Sequence, residues 1–401
     1  MILPRRAPEQ PILARRRSLI ALALAGWLPA AAPAQRDGGR RLIRVGPTRE
    51  TRTVAEASRL ARDGDAVEID AGDYRADVAV WTQRDLAIRG VGGQPRLIAA
   101  GASAEGKAIW VVRGQGVTIG NVAFIGARVA DRNGAGIRLE RGHLKVSNCL
   151  FADNEMAILT SNDPELVLEV EESDFSGYEG LEHRIAHVLY AGAIKRLAVQ
   201  GCYFHRGRVG HLIKSRAQSS LIAYNRITDE RAGRSSYELE FPNGGVAIVL
   251  GNLIAQSART ENGVVISFGA EGYKWPRNEL YLSHNTIVNE RQQGGTLVAA
   301  RRGKAAVRAI NNLFVGNGGL DIGATGDVRD NLRVGPDEFA APSDFDYRLR
   351  AGSNAIGKAV DAGEVDGFPL RPVREYAHPL RTLPVRSTGP LSPGAFQAIV
   401  P

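Results

Sequence analysis

A tyrosine, a lysine and a glutamate occupy matching places in three short apolar segments of this sequence. The segments are HVLYA, HLIKS and YELEF, and the three residues are Tyr190, Lys214 and Glu240. Successive side chains of a strand point to opposite faces, so all three point away from the apolar residues beside them. Lysine and tyrosine can serve as base and acid when burial and neighbouring charges tune them. The pattern therefore predicts acid–base chemistry on an outer face.

Further polar residues border these three. Arg216 lies two places beyond Lys214, and the alignment puts Glu140 in the column of Tyr190 and Arg138 in the column of Glu238. An insertion after the next strand suggests a loop that overhangs the face, with an exposed tyrosine and tryptophan suited to stacking on sugar rings. The substrate-binding candidates are His187, His211, Glu238, Asn243, Glu271, Tyr273 and Trp275.

The residues alone leave three kinds of function open. Glu238 and Glu240 are two places apart on one strand, about 6.8 Å between Cα atoms, which suits the carboxyl pair of a glycoside hydrolase. Lys214 and Tyr190 suit an enzyme that abstracts a proton and protonates a leaving group. A lysine beside a glutamate can also be only a cross-strand ion pair, as on a carbohydrate-binding scaffold without catalysis.

A repeat along the chain must position these residues. Eight short apolar strands end on Asn or a small residue followed by large apolar residues, and from Asn121 to Asn312 the intervals are 27, 25, 28, 24, 27, 33 and 27 residues. This regularity predicts an all-β fold, a single-stranded right-handed parallel β-helix whose coils bury their apolar residues against each other. Turns between sheets favour Asn or Gly in a left-handed conformation. Equivalent turns are expected at Asn148, Asn225, Asn252, Asn285 and Asn312.

The ends of the solenoid have their own signals. Helical periodicity over residues 53–62 predicts an amphipathic helix that caps the first coil. We assign residues 35–335 to the β-helix with its cap, and residues 336–401 to an irregular Pro-rich tail packed on it. Cys149 and Cys202 fall in one column with a coil between them, roughly 9.6 Å apart, so two free thiols are expected.

Residues 1–34 have the features of a cleaved export signal. Three arginines precede an apolar stretch that ends in Ala32-Pro33-Ala34. The segment carries five Arg and one Glu, so the mature chain keeps a net charge of +4 of the total +8. We expect a periplasmic or secreted monomer with an acidic polymer as partner, no nucleic acid, and no stable membrane insertion after signal removal.

Residues 42–335 resemble the pectin-lyase-like β-helix superfamily. More locally, the segment from His211 through Lys214-Ser215 to Asn225 is similar to the Lys-Ser coil of the chondroitinase B and alginate lyase family. In that family the lysine is the general base, an arginine on the following coil completes catalysis, and calcium held by Asn and Glu neutralises the uronate carboxylate. Lys214 matches the lysine. The arginine position falls near Glu240, and the acidic calcium ligands are not evident, so calcium stays undecided and no other cofactor is implied.

The resemblance and the residues together favour a polysaccharide lyase that cleaves a uronate-containing polymer by β-elimination. This reaction needs a cation for the carboxylate, a base for the C5 proton and an acid for the leaving O4. The simplest assignment makes Lys214 the base, Tyr190 the acid or a second base, and Arg216 the carboxylate ligand, with Glu240 beside them. The sequence does not identify the polymer.

Overall fold

The computed structural model describes residues 39–178, 180, 186–260, 262–387, 389–397 and 399. The predicted export signal lies outside the described residues. The chain is an all-β parallel solenoid of about ten turns, with one short helix near its N-terminus. This confirms the predicted β-helix.

Each coil contributes one strand to each of three parallel sheets, in the order C, A, B. Sheet A contains β1 (Leu42–Val45), β2 (Ala66–Asp70), β5 (Ala87–Val91), β8 (Val117–Gly120), β11 (His143–Ser147), β14 (Val167–Glu171), β17 (Arg196–Gln200), β20 (Ser219–Ala223), β23 (Val246–Leu250), β26 (Glu279–Ser283), β29 (Ala306–Ile310) and β32 (Thr325–Arg329). Sheet B contains β3 (Asp73–Arg75), β6 (Arg96–Ile98), β9 (Ala123–Ile125), β12 (Leu150–Ala152), β15 (Asp174–Ser176), β18 (Tyr203–His205), β21 (Arg226–Thr228), β24 (Leu253–Gln256), β27 (Thr286–Asn289), β30 (Leu313–Gly316) and β33 (Leu332–Val334). Sheet C contains β4 (Ala79–Trp81), β7 (Ala108–Val112), β10 (Ala135–Leu139), β13 (Met156–Thr160), β16 (Leu189–Ala191), β19 (Ile213–Ser215), β22 (Leu239–Phe241), β25 (Val264–Phe268), β28 (Thr296–Ala300) and β31 (Gly319–Ile322).

Aromatic rings stack along the axis in the N-terminal half of the core. Phe124, Phe151, Phe175 and Phe204 occupy equivalent places in sheet B, and their ring centroids are 5.1, 4.8 and 4.4 Å apart. Parallel strands repeat at about 4.8 Å, so identical residues on successive coils meet face to face. Trp110 extends the stack toward the N-terminus with an edge contact on Phe124 at 4.9 Å.

Asparagine side chains replace the rings as the axial contact in the C-terminal half. The amide nitrogen and side chain of Asn225 donate to Asn252 Oδ1 at 2.9 and 3.0 Å, and those of Asn252 donate to Asn285 Oδ1 at 3.0 Å each. The same contacts continue through Asn312 to Asn331. The ladder satisfies amide groups that would be costly to bury alone.

The predicted equivalence of the five asparagines is wrong at Asn148. Asn148 is exposed and adopts φ 50°, whereas Asn225 is buried and the left-handed residue of its turn is the preceding Tyr224, φ 56°. Cys149, not Asn148, is the counterpart of Asn225. The ladder asparagine therefore points inward one place after the strained position.

Both cysteines are buried and free, which confirms the prediction. Cys149 and Cys202 share one inward column with Ser173 between them. Ser173 Oγ accepts from the amide of Cys149 at 3.1 Å, as an asparagine oxygen does elsewhere in the column. Burial raises the pKa of the Cys149 thiol to about 12, so this thiol is inert in the folded chain.

The cap lies at the N-terminal coil, and the tail packs along the side of the solenoid. Helix α1 (Val54–Leu60) lies within the predicted range, and Thr53 Oγ1 accepts from the amide of Glu56 at 3.1 Å. Single 3-10 turns follow the coils at Pro336–Glu338 and Pro342–Asp344. The tail forms three hairpins, β34 (Phe339–Ala341) with β35 (Asp346–Leu349), β36 (Glu364–Val365) with β37 (Phe368–Pro369), and β38 (Arg374–Ala377) with β39 (Arg381–Pro384). No helix among the described residues has the length and apolarity to cross a membrane.

Candidate functional site

The outer face of sheet C carries the three residues with which the sequence analysis began. Tyr190 on β16 pairs with Lys214 on β19, which pairs with Glu240 on β22. The column continues to Ser267 on β25. The predicted stacking of these side chains on successive coils is confirmed.

The predicted register is wrong for the earlier coil. Arg138, not Glu140, lies in the column of Tyr190, because β13 intervenes and pairs Leu159 with Arg138 on one side and with Tyr190 on the other. Glu140 follows the end of β10 and binds Lys107 and Arg113. The β13 coil has Leu159 in this column, so an alignment guided by polar residues did not include that coil.

Glu238 does not face outward as predicted. It precedes β22, is fully buried, and lies in the corner between sheets B and C, where Ser235 Oγ and Gln256 Nε2 donate to its carboxyl group at 3.2 Å each. Burial and the nearby Asp229 raise its pKa well above the ordinary value. Glu238 and Glu240 therefore do not form the open carboxyl pair that a hydrolase needs.

Lys214 and Arg216 together hold the carboxylate of Glu271. Lys214 Nζ is 3.1 Å from Glu271 Oε1, and Arg216 contacts the two carboxylate oxygens at 2.9 and 2.7 Å. The hydrogen bond from Arg216 is the main reason that the pKa of Glu271 is lowered to about 2, and Lys214 adds to this effect. Glu271 is on the predicted overhanging loop, and its side chain is 45% exposed while that of Lys214 is 9% exposed. A half-exposed carboxylate is thus bound by a lysine and an arginine that act together.

Arg216 also orients the phenol. Its Nε donates to the Tyr190 hydroxyl oxygen at 2.8 Å, and its Nη1 donates to Asn243 Oδ1 at 2.5 Å. Because the Tyr190 oxygen accepts this bond, its own proton stays free to be donated elsewhere. Asn243, predicted as a substrate ligand, lies at the site and holds the guanidinium.

Glu240 is the buried partner of two bases. Its Oε2 is 3.0 Å from Lys214 Nζ and 3.1 Å from His211 Nε2. Burial raises the pKa of Glu240, but His211 and Lys214 outweigh it and the net pKa is below its usual value. Burial lowers the pKa of His211, so the imidazole is neutral at neutral pH. These contacts connect Lys214, Glu240 and His211 in a row.

His187 packs against His211 on the side away from Glu240. It stacks on His211 with centroids 4.3 Å apart, and its Nδ1 accepts from the amide of His211 at 3.0 Å. Burial lowers the pKa of His187 well below its ordinary value, and the charges of Lys214 and Arg216 add to this effect. Both predicted histidines are at the site, as packed residues behind the outer face.

The overhanging loop is fixed by its aromatic residues. Trp275 Nε1 donates to the carbonyl oxygen of Arg216 at 3.0 Å, and the Tyr273 hydroxyl donates to that of Arg301 at 2.6 Å. Both rings are partly buried, and Tyr273 packs against Phe268. They are therefore not the freely exposed stacking surfaces that were expected, since their polar atoms bind backbone and hold the loop over Lys214.

No metal centre is evident at this face. Within the described part of the chain, no group of three or more His, Cys, Asp or Glu side chains could hold a metal ion. The site residues form one pairing network of cations with carboxylates. Residues of these types in this arrangement can bind a carboxylate and exchange protons.

Comparison with known proteins supports the fold and gives no evidence on the chemistry of the site. No protein-family profile and no curated protein matches the sequence. Among solved structures, the chain is similar to pectate lyase Pel9A, with a TM-score of 0.57 and 10% identity over 90% of this chain and 97% of that one. A mutant of the PL6 family alginate lyase AlyGC matches with a TM-score of 0.37 and 15% identity over 77% of this chain and 42% of that one. The first match supports the parallel β-helix.

Proposed function

We propose that this chain is a polysaccharide lyase that cleaves a uronate-containing polymer by β-elimination. The observation that carries the proposal is the grip of Lys214 and Arg216 on the carboxylate of Glu271, beside the hydroxyl of Tyr190. A uronate carboxylate has the same planar shape and charge as the Glu271 side chain. In the working complex it takes the place of Glu271 on Arg216.

The substrate carboxylate also prepares the base. Lys214 contacts both Glu271 and Glu240, and a neighbouring carboxylate stabilises the ammonium form of an amine. Departure of Glu271 leaves Lys214 with Glu240 as its one carboxylate partner in this network. Glu240 Oε2 is also 3.1 Å from His211 Nε2, which places a second titratable group beside the Lys214–Glu240 pair.

The reaction follows from these positions. The free amine of Lys214 takes the C5 proton, the C–H electron pair forms the C4–C5 double bond, and the C4–O4 bond breaks. Tyr190 donates its proton to O4, and proton exchange with solvent restores both side chains. Arg216 offsets the charge that moves onto the carboxylate as C5 loses its proton. Water is not consumed, and one unsaturated end and one reducing end form.

The two other functions have less support. A hydrolase using Glu238 and Glu240 loses its carboxyl pair, because Glu238 is buried in the corner between sheets. A binding scaffold would use the same carboxylate grip without forming new ends. Export to the periplasm or beyond remains part of the proposal on the strength of residues 1–34, and so does a monomeric state.

A panel of acidic polysaccharides tests the proposal. Purified protein is incubated with pectate, alginate and sulfated uronate polymers, with and without calcium, and the absorbance of unsaturated uronate products is recorded. We expect a rise with one polymer class that Lys214→Met abolishes. Lys195→Met, at an exposed lysine that directly precedes β17, is the matched control. New reducing ends without absorbance would show a hydrolase, and binding without new ends would show a scaffold.

A further inference from the structure

Arg138 lies in the column of Tyr190 and Lys214, and its guanidinium has no partner among the described residues. It lies on β10 three strands before Lys214, with Leu159 and Tyr190 between them. Its Nε is buried without a hydrogen bond, and no hydrogen bond or ion pair joins its guanidinium to any part of the chain that the structure describes. Burial lowers the pKa of this half-buried group.

The nearest acid is already neutralised. Glu140, two places further, accepts from Lys107 Nζ at 2.8 Å and from Arg113 Nε at 2.7 Å. Burying an arginine charge without a partner costs free energy that folding alone does not recover. A guanidinium left in this state is suited to a planar anion that arrives from outside, since its donors match a carboxylate.

The spacing fits an extended sugar chain. Three strand spacings place Arg138 about 14 Å from Lys214 along the axis. An extended polymer of pyranose rings advances by roughly one ring for each coil. Leu159 is nearly buried and packs with Tyr190 between the two cations, so the floor there is apolar. Along the column, the chain therefore presents a cation, an apolar surface, a phenol and a second cation, at Arg138, Leu159, Tyr190 and Lys214.

We propose that Arg138 binds the carboxylate of a second uronate, three residues along the polymer from the one held by Arg216. This inference rests on the proposed function and specifies the substrate further. The polymer must carry charge at the distal residue as well as at the cleaved one, and oligomers too short to span three coils gain nothing from Arg138.

Length-resolved kinetics with Arg138→Gln tests the subsite. The probes are a trisaccharide and a hexasaccharide of the polymer that the wild-type chain cleaves, or of oligogalacturonate if it cleaves none. A hydrogen-bonded charge pair contributes about 1.5–3 kcal/mol, so kcat/KM for the hexasaccharide should fall by about tenfold or more. The value for the trisaccharide should not change. Arg138→Lys keeps the charge but not the planar fork, and should retain part of the affinity.

Two controls separate this role from a structural one. Arg141→Gln removes an exposed arginine three places on and should change neither substrate. Arg138→Gln should melt no lower than the wild type, because it removes an unpaired buried charge, whereas a structural arginine would lower the melting temperature. Equal losses on both oligomers, or none on the hexasaccharide, overturn the subsite while lyase activity stands. If the wild type cleaves nothing, calorimetric binding of the two oligomers still decides whether Arg138 distinguishes them.

Discussion

Glu271 provides the sharpest test of the carboxylate grip, because it competes with the substrate for the same cations. Glu271→Gln keeps the shape of the side chain and removes its charge. If the substrate carboxylate must displace Glu271 from Lys214 and Arg216, the variant should bind an acidic polymer more tightly. The KM should fall, while kcat stays close to that of the wild type.

The size of the effect follows from the exposure of the pair. Glu271 contacts Lys214 at 3.1 Å and Arg216 at 2.7 Å, but its side chain is 45% exposed. Exposed ion pairs contribute about 0.2–1 kcal/mol each, so losing both should favour the substrate by about 1 kcal/mol, roughly a fivefold lower KM. The gain should shrink in high salt, which screens the competing pair.

The assay is initial-rate absorbance of unsaturated product across polymer concentration and ionic strength. Glu165→Gln, at an exposed carboxylate paired with Lys195, is the matched control and should leave KM unchanged. The pKa of Glu271 is lowered to about 2, so the wild-type side chain is ionised throughout an ordinary pH range. Its stabilising pairs are present above the unfolded pKa near 4.5 and are lost as pH falls toward about 2. An unchanged or higher KM in Glu271→Gln would refute the hypothesis that the substrate carboxylate displaces that of Glu271.

Other outcomes follow from the same structure. Lys214→Met should lower kcat about 10²–10⁴-fold; because Lys214 and Glu240 are both buried, it should also cost about 1–3 kcal/mol in a denaturant titration, and intact turnover would remove it as the base. Tyr190→Phe should lower kcat without moving the melting temperature, and unaltered rates would exclude the phenol as the acid. Burial raises the pKa of Asp229 from 3.8 to about 7, so its contribution to stability should be complete below about pH 4 and be lost as pH rises to about 7. This fall should be smaller in Asp229→Asn, in which only Glu238 of the buried pair keeps its raised pKa, and parallel melting curves would contradict it. Asn252→Ala should cost about 2–4 kcal/mol of unfolding free energy by leaving buried amides without acceptors, and a loss below about 1 kcal/mol would show that the ladder adds little.

The repeat could be predicted from sequence because each coil buries the same kinds of residue at nearly the same interval. The inward column of Cys149 and Cys202 followed from that register, and so did the stacking of Tyr190, Lys214 and Glu240. The error at Asn148 arose because Asn serves two purposes in one turn. It tolerates the left-handed position, as at Asn148, and it hydrogen-bonds inside the coil, as at Asn225. The residue type alone does not distinguish these two roles.

The parts of the site that escaped prediction depend on contacts between distant segments. The burial of Glu238 is set by Gln256, which lies 18 residues further along the chain, and strand alternation does not hold where the chain turns into a corner. Arg138 was assigned to the wrong column because the β13 strand, with Leu159 in the polar column, was not counted. The grip on Glu271 required the path of a loop more than 50 residues from Arg216.

The two kinds of axial contact meet where the reaction is proposed to occur. Stacked rings run from Trp110 to Phe204, and the asparagine ladder runs from Asn225 to Asn331. The coils of Tyr190 and Lys214 lie at this junction. Hydrophobic contact weakens on cooling and hydrogen bonds are directional, so the two halves respond differently to temperature and to bending. The coils of the proposed reaction therefore lie where ring stacking along the axis gives way to a hydrogen-bonded ladder.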